Sequence, residues 1–223
     1  MRVALFDLDH TLIEGDSDVL WMRRAAELGH ADGSQMAAFM ADYDAGTLDV
    51  AAYYAYTFGV FRGKTAADFE SDLEVFLKDV LLSILRSEPL ARLRAEQAAG
   101  AICALVTATG EVVTRGIARE LGFDALLATR LGRADGTGAL PAGVFDGSVL
   151  GTPCFREGKT ARVEEWLAGR GASLAELEDS SFYGDSRNDR FIMEQVRRPV
   201  AVGPDDKLRA LSDERGWEVI EIR

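Results

Sequence analysis

The sequence predicts an α/β protein, in which a doubly wound, mainly parallel, Rossmann-like sheet carries an inserted all-helical cap. Short apolar runs alternate with amphipathic segments of helical length, a pattern typical of parallel sheets flanked by helices. The first of these runs, residues 3–6, ends in acidic side chains. Residues 14–88 show helical periodicity and no convincing strand. A helical insertion therefore follows the first strand of an otherwise alternating chain.

The core strands are predicted from the short apolar runs. After the first strand we expect strands at residues 101–106, 181–183, 200–202 and 217–222. Amphipathic helices are predicted over residues 111–121 and 160–167, which end before Gly122 and Gly169 as C-capped helices do. The first strand should lie at the centre of the sheet.

The helical insertion divides the chain into a core, residues 1–13 and 89–223, and a cap, residues 14–88. Large apolar side chains recur along the cap at helical spacing, which favours core packing over contact with a ligand. These residues are Trp21, Met22, Met36, Phe39, Met40, Tyr53, Tyr54, Phe58, Phe61, Phe69, Leu73, Phe76 and Leu77.

A glycine-rich segment, residues 131–151, interrupts the alternation of the core. Asp135-Gly136 and Asp146-Gly147 are turn signals within it. The segment is predicted to form a β-hairpin at the edge of the sheet.

Composition limits the classes of function. The chain has 223 residues, of which 48% are hydrophobic, enough for one domain with a sizeable insertion. Its net charge of −12 argues against nucleic acid and membrane surfaces as partners. Cys103 and Cys154 lack the spacing of a zinc or disulfide motif, and no stretch resembles a membrane span or signal region. We expect a cytoplasmic protein, and the sequence favours no particular oligomeric state.

Asp7 and Asp9, which follow the first strand directly, are the first candidate functional pair. Open α/β sheets place their active sites at the carboxyl ends of the strands. Residues two apart on a strand share a face, so the two carboxylates could meet one metal ion or one substrate. A solvent-facing acidic pair at a strand end is the alternative.

A second apolar run ends in the acidic segment 184–189, GDSRND. Two strands that end in carboxylates supply the oxygen ligands that Mg²⁺ takes in proteins, and Asp7 with Asp185 is the natural pair. The alternative is a turn before an N-capped helix, since Ser, Asn and Asp favour such positions. The occurrence of both acidic segments in one chain favours the metal site.

Two further segments could contact an anion. Thr107, Ala108 and Thr109 end a strand just before a helix, where N–H groups and hydroxyls can bind a phosphoryl group; simple N-capping is the alternative. Lys159 begins a helix, where a cation is unfavourable for the helix dipole, so its position suggests an anionic neighbour. A solvated surface lysine is the alternative.

In this order and spacing, the four segments resemble the motifs of the haloacid dehalogenase-like superfamily of hydrolases. Asp7 and Asp9 match the first motif, Thr107 the second, Lys159 the third, and residues 184–189 the fourth. The helical insertion after the first motif is similar to that of phosphoserine phosphatases and histidinol-phosphate phosphatases. The resemblance covers the whole chain.

The resemblance implies an Mg²⁺-dependent phosphomonoesterase that works through an aspartyl-phosphate. Asp7 would be the nucleophile and Asp9 the general acid and base, with the metal held by Asp7, Asp185 and the backbone carbonyl of Asp9. Asp189 would orient Lys159 or a metal-bound water. The implied phosphate-binding residues are Thr107, Ala108, Thr109, Lys159 and Asn188. A phosphotransferase that uses an alcohol acceptor and a non-catalytic protein that binds a phospho-ligand are the alternatives.

The expected partner is a small phosphorylated metabolite enclosed by the cap. The cap lacks the Gly-Gly-x-x-Pro-Phe-like segment of phosphoserine phosphatases, whereas residues 151–155, GTPCF, resemble the histidinol-phosphatase branch. Glu14 and Asp16 are either partners of a substrate ammonium or imidazolium, or a solvated helix start. Arg62 is either a partner of a substrate carboxylate or a surface residue.

Overall fold

The computed structural model describes residues 1–135 and 143–222. The strands in chain order are β1 (Arg2–Phe6), β2 (Ile102–Gly110), β3 (Ala125–Thr129), β4 (Leu131–Arg133), β5 (Phe145–Val149), β6 (Asp179–Gly184), β7 (Arg198–Val202) and β8 (Glu218–Ile220). Six of them form one parallel sheet in the order β3-β2-β1-β6-β7-β8. The predicted fold class and the interior position of the first strand are confirmed, and β3 is an additional strand that the sequence analysis missed.

Helices surround this sheet and fill the segment predicted as a cap. Those in the cap segment are α1 (Ser17–Glu27), α2 (Met36–Ala45), α3 (Val50–Gly59) and α4 (Glu70–Asp79). Those in the rest of the described chain are α5 (Ser87–Ala98), α6 (Glu111–Glu120), α7 (Glu157–Ala168), α8 (Arg190–Met193) and α9 (Asp206–Arg215). The two predicted core helices correspond to α6 and α7. Across the described ranges, no helix has both the length and the apolar character needed to cross a membrane.

Both faces of the sheet are buried, because successive side chains of a strand point to opposite sides. On β1, Ala4 and Phe6 pack in a cluster with buried side chains of α5, α6 and the cap segment. Val3 and Leu5 pack on the other side with side chains of α7, α8 and α9. This accounts for the continuous apolar run of β1 and gives the sheet its doubly wound form.

The register of the sheet determines where the candidate site residues emerge. Phe6 lies opposite Leu105 on β2 and Tyr183 on β6. Since the three strands are parallel, the residues that follow these positions leave the sheet at the same carboxyl edge. The acidic and hydroxyl side chains predicted from three distant parts of the sequence therefore share one edge.

The interior of the cap segment is aromatic. The indole of Trp21 stacks on Phe61, with ring centroids 6.2 Å apart, and meets the edge of Phe76 at 5.4 Å. Trp21, Phe61 and Phe76 are each at most 1% exposed. Core packing is thus confirmed for these members of the predicted apolar stripe.

The two connections between core and cap run side by side. Ile13 and Leu85 form an isolated antiparallel bridge, and the N–H of Arg86 donates to the carbonyl of Leu12 at 2.8 Å. Helix α5 begins immediately afterwards and packs against β1 and β2. The exact boundaries at residues 13 and 88 remain a prediction.

β4 and β5 pair antiparallel in a two-stranded sheet of their own, so they do not extend the main sheet as predicted. β5 packs instead beside α3. The predicted turn at Asp146-Gly147 is wrong: both residues lie inside β5, where Gly147 has a φ of 80° and the register shifts as in a β-bulge. Gly136, in the other predicted turn, lies outside the described residues.

Candidate active site

A cavity of about 240 Å³ lies at the carboxyl edge of the sheet, between the core loops and cap helices α1, α2 and α3. Polar groups from the ends of β1, β2 and β6 and from the start of α7 form its core wall. Carboxylates and aromatic side chains form its cap wall. The cavity brings together nine of the predicted site residues, namely Asp7, Asp9, Asp16, Ala108, Thr109, Lys159, Asp185, Asn188 and Asp189.

Lys159 is a buried cation between two carboxylates. Its Nζ atom lies 2.6 Å from Oδ1 of Asp189 and 2.9 Å from Oδ1 of Asp7. Burial alone would lower the pKa of Lys159, but these two carboxylates raise it well above its ordinary value. The side chain therefore stays charged and joins α7, the end of β1 and the loop after β6. The alternative interpretation of Lys159 as a solvated surface side chain is ruled out.

Two glycines allow this close approach. A Cβ atom on Gly158 would lie 1.9 Å from the carbonyl oxygen of Pro153, and one on Gly184 would lie 2.4 Å from Oδ2 of Asp189. Both distances are far shorter than real Cβ contacts. Glycine is therefore needed where α7 begins beside Lys159 and where Asp189 folds back against the end of β6.

Asp9 lines the cavity and accepts three hydrogen bonds through its carboxylate. Its Oδ1 accepts the N–H of Ser17 at 2.6 Å, and its Oδ2 accepts the hydroxyls of Thr109 at 2.9 Å and Thr107 at 3.4 Å. Burial, followed by the charge of Asp16, raises the pKa of Asp9 to about 6 in spite of these hydrogen bonds. A pKa close to neutrality suits a group that both gives and takes a proton.

The segment from Thr107 to Thr109 leads into α6 and is held on both sides. The Thr107 hydroxyl is fully buried and accepts the N–H of Thr109 at 3.2 Å, so it contacts the segment and Asp9 instead of lining the cavity. The hydroxyl of Tyr54, on α3, donates to the carbonyl of Ala108 at 3.1 Å. Ala108 and Thr109 thus line the cavity just before a helix N-terminus, where N–H groups favour an anion.

Three carboxylates at this edge could hold a cation. Asp7, Asp185 and Asp189 each offer an oxygen, and the three oxygens lie within 4.8 Å of one another. Burial, together with the charges of Asp7 and Asp189, raises the pKa of Asp185 well above its ordinary value. The Oδ2 atom of Asp189 is buried without a hydrogen-bond partner among the described residues. An oxygen donor set with this excess of negative charge fits a hard divalent cation such as Mg²⁺.

The cap wall contains residues that the sequence analysis did not select. Asp18 is 5% exposed, and the hydroxyl of Tyr53 donates to its Oδ2 at 3.0 Å. Tyr43 accepts a hydrogen bond from Asn188, with Nδ2 and the phenol oxygen 2.9 Å apart. These tyrosines recur at helical spacing, a pattern that equally predicts packing in the core, so the pattern alone could not assign them to the cavity.

Glu14 and Arg62 lie outside the cavity, which corrects their predicted roles. The exposed Glu14 sits at the core–cap connection and lines a separate groove beside Arg86. The exposed Arg62 lies against Gly147 of β5, with its Nε 2.9 Å from where a Cβ atom would stand there. Asp16, the other predicted acidic residue at the start of the cap, does line the cavity.

The fold is an α/β sheet with a helical segment inserted after β1, and its candidate site is built from carboxylates and one buried lysine. Residues 4–194 match the family of haloacid dehalogenase-like hydrolases. The chain belongs to this family, and the resemblance found in its motifs is confirmed.

Three similar proteins match the chain over nearly their whole length. The histidinol-phosphatase of Neisseria meningitidis serogroup C (strain 8013) is 29% identical over 226 residues, covering 100% of this chain and 99% of that protein. A solved protein of unknown function from Bordetella pertussis Tohama I is 39% identical with a TM-score of 0.88, covering 99% and 98% of the two chains. A substrate-bound phosphoserine phosphatase has a TM-score of 0.69 at 18% identity, covering 100% and 93%, and shows likeness of fold alone.

Proposed function

We propose that the protein is an Mg²⁺-dependent phosphomonoesterase that hydrolyses a small phosphorylated metabolite through an aspartyl-phosphate. The observation that supports this most strongly is the convergence of Asp7, Lys159, Asp185 and Asp189 at one edge of the sheet. A nucleophilic carboxylate, a buried cation and oxygen ligands for a metal are the parts that this type of phosphoryl transfer needs.

The reaction would proceed in two displacements. Asp7 attacks the phosphorus in line, and the bond to the leaving oxygen breaks as the bond to Asp7 forms. Asp9 donates its proton to the leaving alkoxide and then takes a proton from the water that attacks the aspartyl-phosphate. Lys159 and the N–H groups around Ala108 and Thr109 stabilise the charge that spreads over the other phosphoryl oxygens.

Asp7, Asp185 and the backbone carbonyl of Asp9 would hold the metal ion. When bound, Mg²⁺ offsets the negative charge of the carboxylates and of the phosphate, so that one anion can approach another. Asp189 keeps the ammonium of Lys159 next to Asp7, through the contact at 2.6 Å.

Histidinol phosphate or an amino-acid-like phosphate such as phosphoserine fits this site. Asp16, Asp18 and Asp44 line the cavity together with the rings of Tyr53 and Tyr54, and the Tyr53 hydroxyl contacts Asp18. An ammonium or imidazolium on the leaving group would offset this charge and contact these rings. The name of the Neisseria relative points to the same chemistry.

A screen of a few dozen phosphorylated metabolites tests the proposal. With Mg²⁺ and no acceptor other than water, we expect phosphate release, with the highest kcat/KM for a small phosphate that bears an amine. Release that requires an added alcohol would favour a phosphotransferase. Binding without release from any member of the panel would contradict the proposal and favour a protein that only binds a phospho-ligand.

A further inference from the structure

Helix α2 is the least buried wall of the cavity. Met36 is its only buried residue, whereas α1, α3 and α4 each bury several. It packs on α3 through the ring of Phe39, whose centroid lies 5.7 Å from that of Tyr53. Met40 and Tyr43, further along the helix, face the cavity. The helix therefore depends on few contacts for its position over the site.

The hydroxyl of Tyr43 joins α2 to the core. Its oxygen lies 2.9 Å from Nδ2 of Asn188, which donates to it, and 3.3 Å from Oγ of Ser186. Both partners belong to the loop between Asp185 and Asp189, which carries two of the candidate metal-binding carboxylates. One phenol thus connects the least buried cap helix to the loop that carries Asp185 and Asp189.

Asn188 is held from both ends of its amide. Its Oδ1 accepts the Nε–H of Arg156 at 3.0 Å, and one of its two Nδ2 hydrogens goes to Tyr43. Within residues 1–135 and 143–222, the second hydrogen has no protein acceptor, and Asn188 lines the cavity. The amide is therefore oriented so that one N–H is left for a ligand.

The two side chains that bind the Asn188 amide come from different parts of the chain. Arg156 belongs to the core and is fixed at the start of α7, where its carbonyl accepts the N–H of Lys159 at 3.0 Å. Tyr43 comes from the cap. If α2 moves away from the core, Asn188 loses the acceptor that fixes the position of its Nδ2 group. The amide can then rotate more freely about its terminal side-chain torsion, which has a broad range of favourable angles.

We propose that Tyr43 is a positioning residue, whose hydroxyl orients the amide of Asn188 toward a phosphoryl oxygen only when α2 lies over the cavity. The orientation of a polar group at the phosphate is thereby coupled to enclosure of the substrate. The proposal rests on the proposed phosphomonoesterase function.

A double-mutant cycle on kcat/KM tests this coupling, with p-nitrophenyl phosphate and Mg²⁺ as the probe. Tyr43→Phe keeps the ring and removes the hydrogen bonds, so it should lower kcat/KM by roughly five- to tenfold. In an Asn188→Ala background the same substitution should change kcat/KM by less than about twofold, because the group that Tyr43 orients is gone. A merely structural role for the hydroxyl would give the same loss in both backgrounds.

Tyr56→Phe is the matched control. Tyr56 lies on α3, donates to the carbonyl of Asp32 within the cap, and does not line the cavity. It should leave kcat/KM unchanged, and thermal unfolding of every variant checks that each is folded. An active wild type with an undiminished Tyr43→Phe loss in the Asn188→Ala background, or with no loss at all, would overturn this proposal alone. A wild type that releases no phosphate would overturn the proposed function and this proposal with it.

Discussion

The ammonium nitrogen of Lys159 lies 2.9 Å from Oδ1 of Asp7, and the two side chains are only 5% and 9% exposed. Burial of an ion pair costs both groups their hydration, and their mutual attraction offsets this cost. Removal of one group therefore leaves the other as an uncompensated buried charge. Because Asp189 makes a second contact with the same nitrogen at 2.6 Å, one cation serves two carboxylates. The arrangement holds Asp7 in place while leaving its other oxygen free of Lys159.

Lys159→Met should destabilise the fold, since it leaves the carboxylates of Asp7 and Asp189 buried without their cation. We expect the free energy of unfolding at pH 7 to fall by about 3–5 kcal/mol. The loss should shrink as the pH falls, because protonated carboxyls need no counter-charge. Urea unfolding measures both effects. Lys78→Met, which removes an exposed pair with Glu74, is the control and should leave the value almost unchanged. Equal effects of the two substitutions would contradict the role of Lys159.

Asp9→Asn should stabilise the metal-free protein at neutral and alkaline pH. Burial and the charge of Asp16 raise the pKa of Asp9 from 3.8 to about 6, so the folded state releases this proton later than the unfolded chain does. Because the unfolded carboxyl ionises near pH 3.8, the destabilisation of the fold builds up between about pH 4 and pH 6 and is complete above pH 6. We expect a gain of about 3 kcal/mol at pH 8 that vanishes below pH 4. Asp42→Asn, on the exposed face of α2, should give no such gain.

A stabilisation by Asp9→Asn that did not depend on pH would contradict this prediction, because it could not arise from the titration of Asp9. The same substitution should abolish turnover of substrates with poor leaving groups, because the alkoxide loses its proton donor. Phosphate release from aliphatic and aryl esters, compared in one assay, measures this difference.

Removal of the metal should abolish activity, and Asp185 should be needed for its binding. We expect EDTA to stop phosphate release and Mg²⁺ to restore it. Mg²⁺ should raise the Tm of the wild type, because a cation that binds only the folded state stabilises it. Asp185→Asn should lose this shift, whereas Asp206→Asn, at an exposed position on α9, should keep it. A wild-type Tm that does not respond to Mg²⁺ would contradict the assignment of Asp7 and Asp185.

The size of the cavity predicts selection by size. A space of about 240 Å³ under α2 and α3 has room for a small metabolite and is too small for a folded protein. The kcat/KM for a phosphorylated amino acid or amino alcohol should therefore exceed that for a phosphoprotein by orders of magnitude. Comparable rates on the two substrates would show that the cap does not enclose the site in solution.

Local sequence signals were sufficient for the core of the site. Asp7 and Asp185 each follow an apolar strand, Thr107 lies near the carboxyl end of another, and the parallel order of the sheet brings them to one edge. Lys159 was recognisable because a cation at a helix start is unfavourable without an anionic neighbour. These predictions depend only on residues close to each motif and on general rules of α/β topology.

The cap wall depends on tertiary docking, which periodicity does not fix. Tyr43 and Tyr53 recur at helical spacing along the cap, as the buried core residue Phe58 does. Their hydroxyls nevertheless contact Asn188 and Asp18 at the cavity. Glu14 was misplaced for a related reason: the chain turns at the core–cap connection, so a residue only five positions after Asp9 leaves the site. Which side of a cap helix faces the core is decided by packing against the whole molecule.

The proposed mechanism requires that Asp7 becomes phosphorylated during turnover. The most direct test is acid quenching of the enzyme during turnover of a radiolabelled phosphomonoester with Mg²⁺, followed by tryptic digestion and mass spectrometry. We predict label on the peptide that spans residues 3–23, located at Asp7, and none in a folded Asp7→Asn variant, which should also be inactive. Full activity of Asp7→Asn, or label on a residue other than Asp7, would contradict the mechanism.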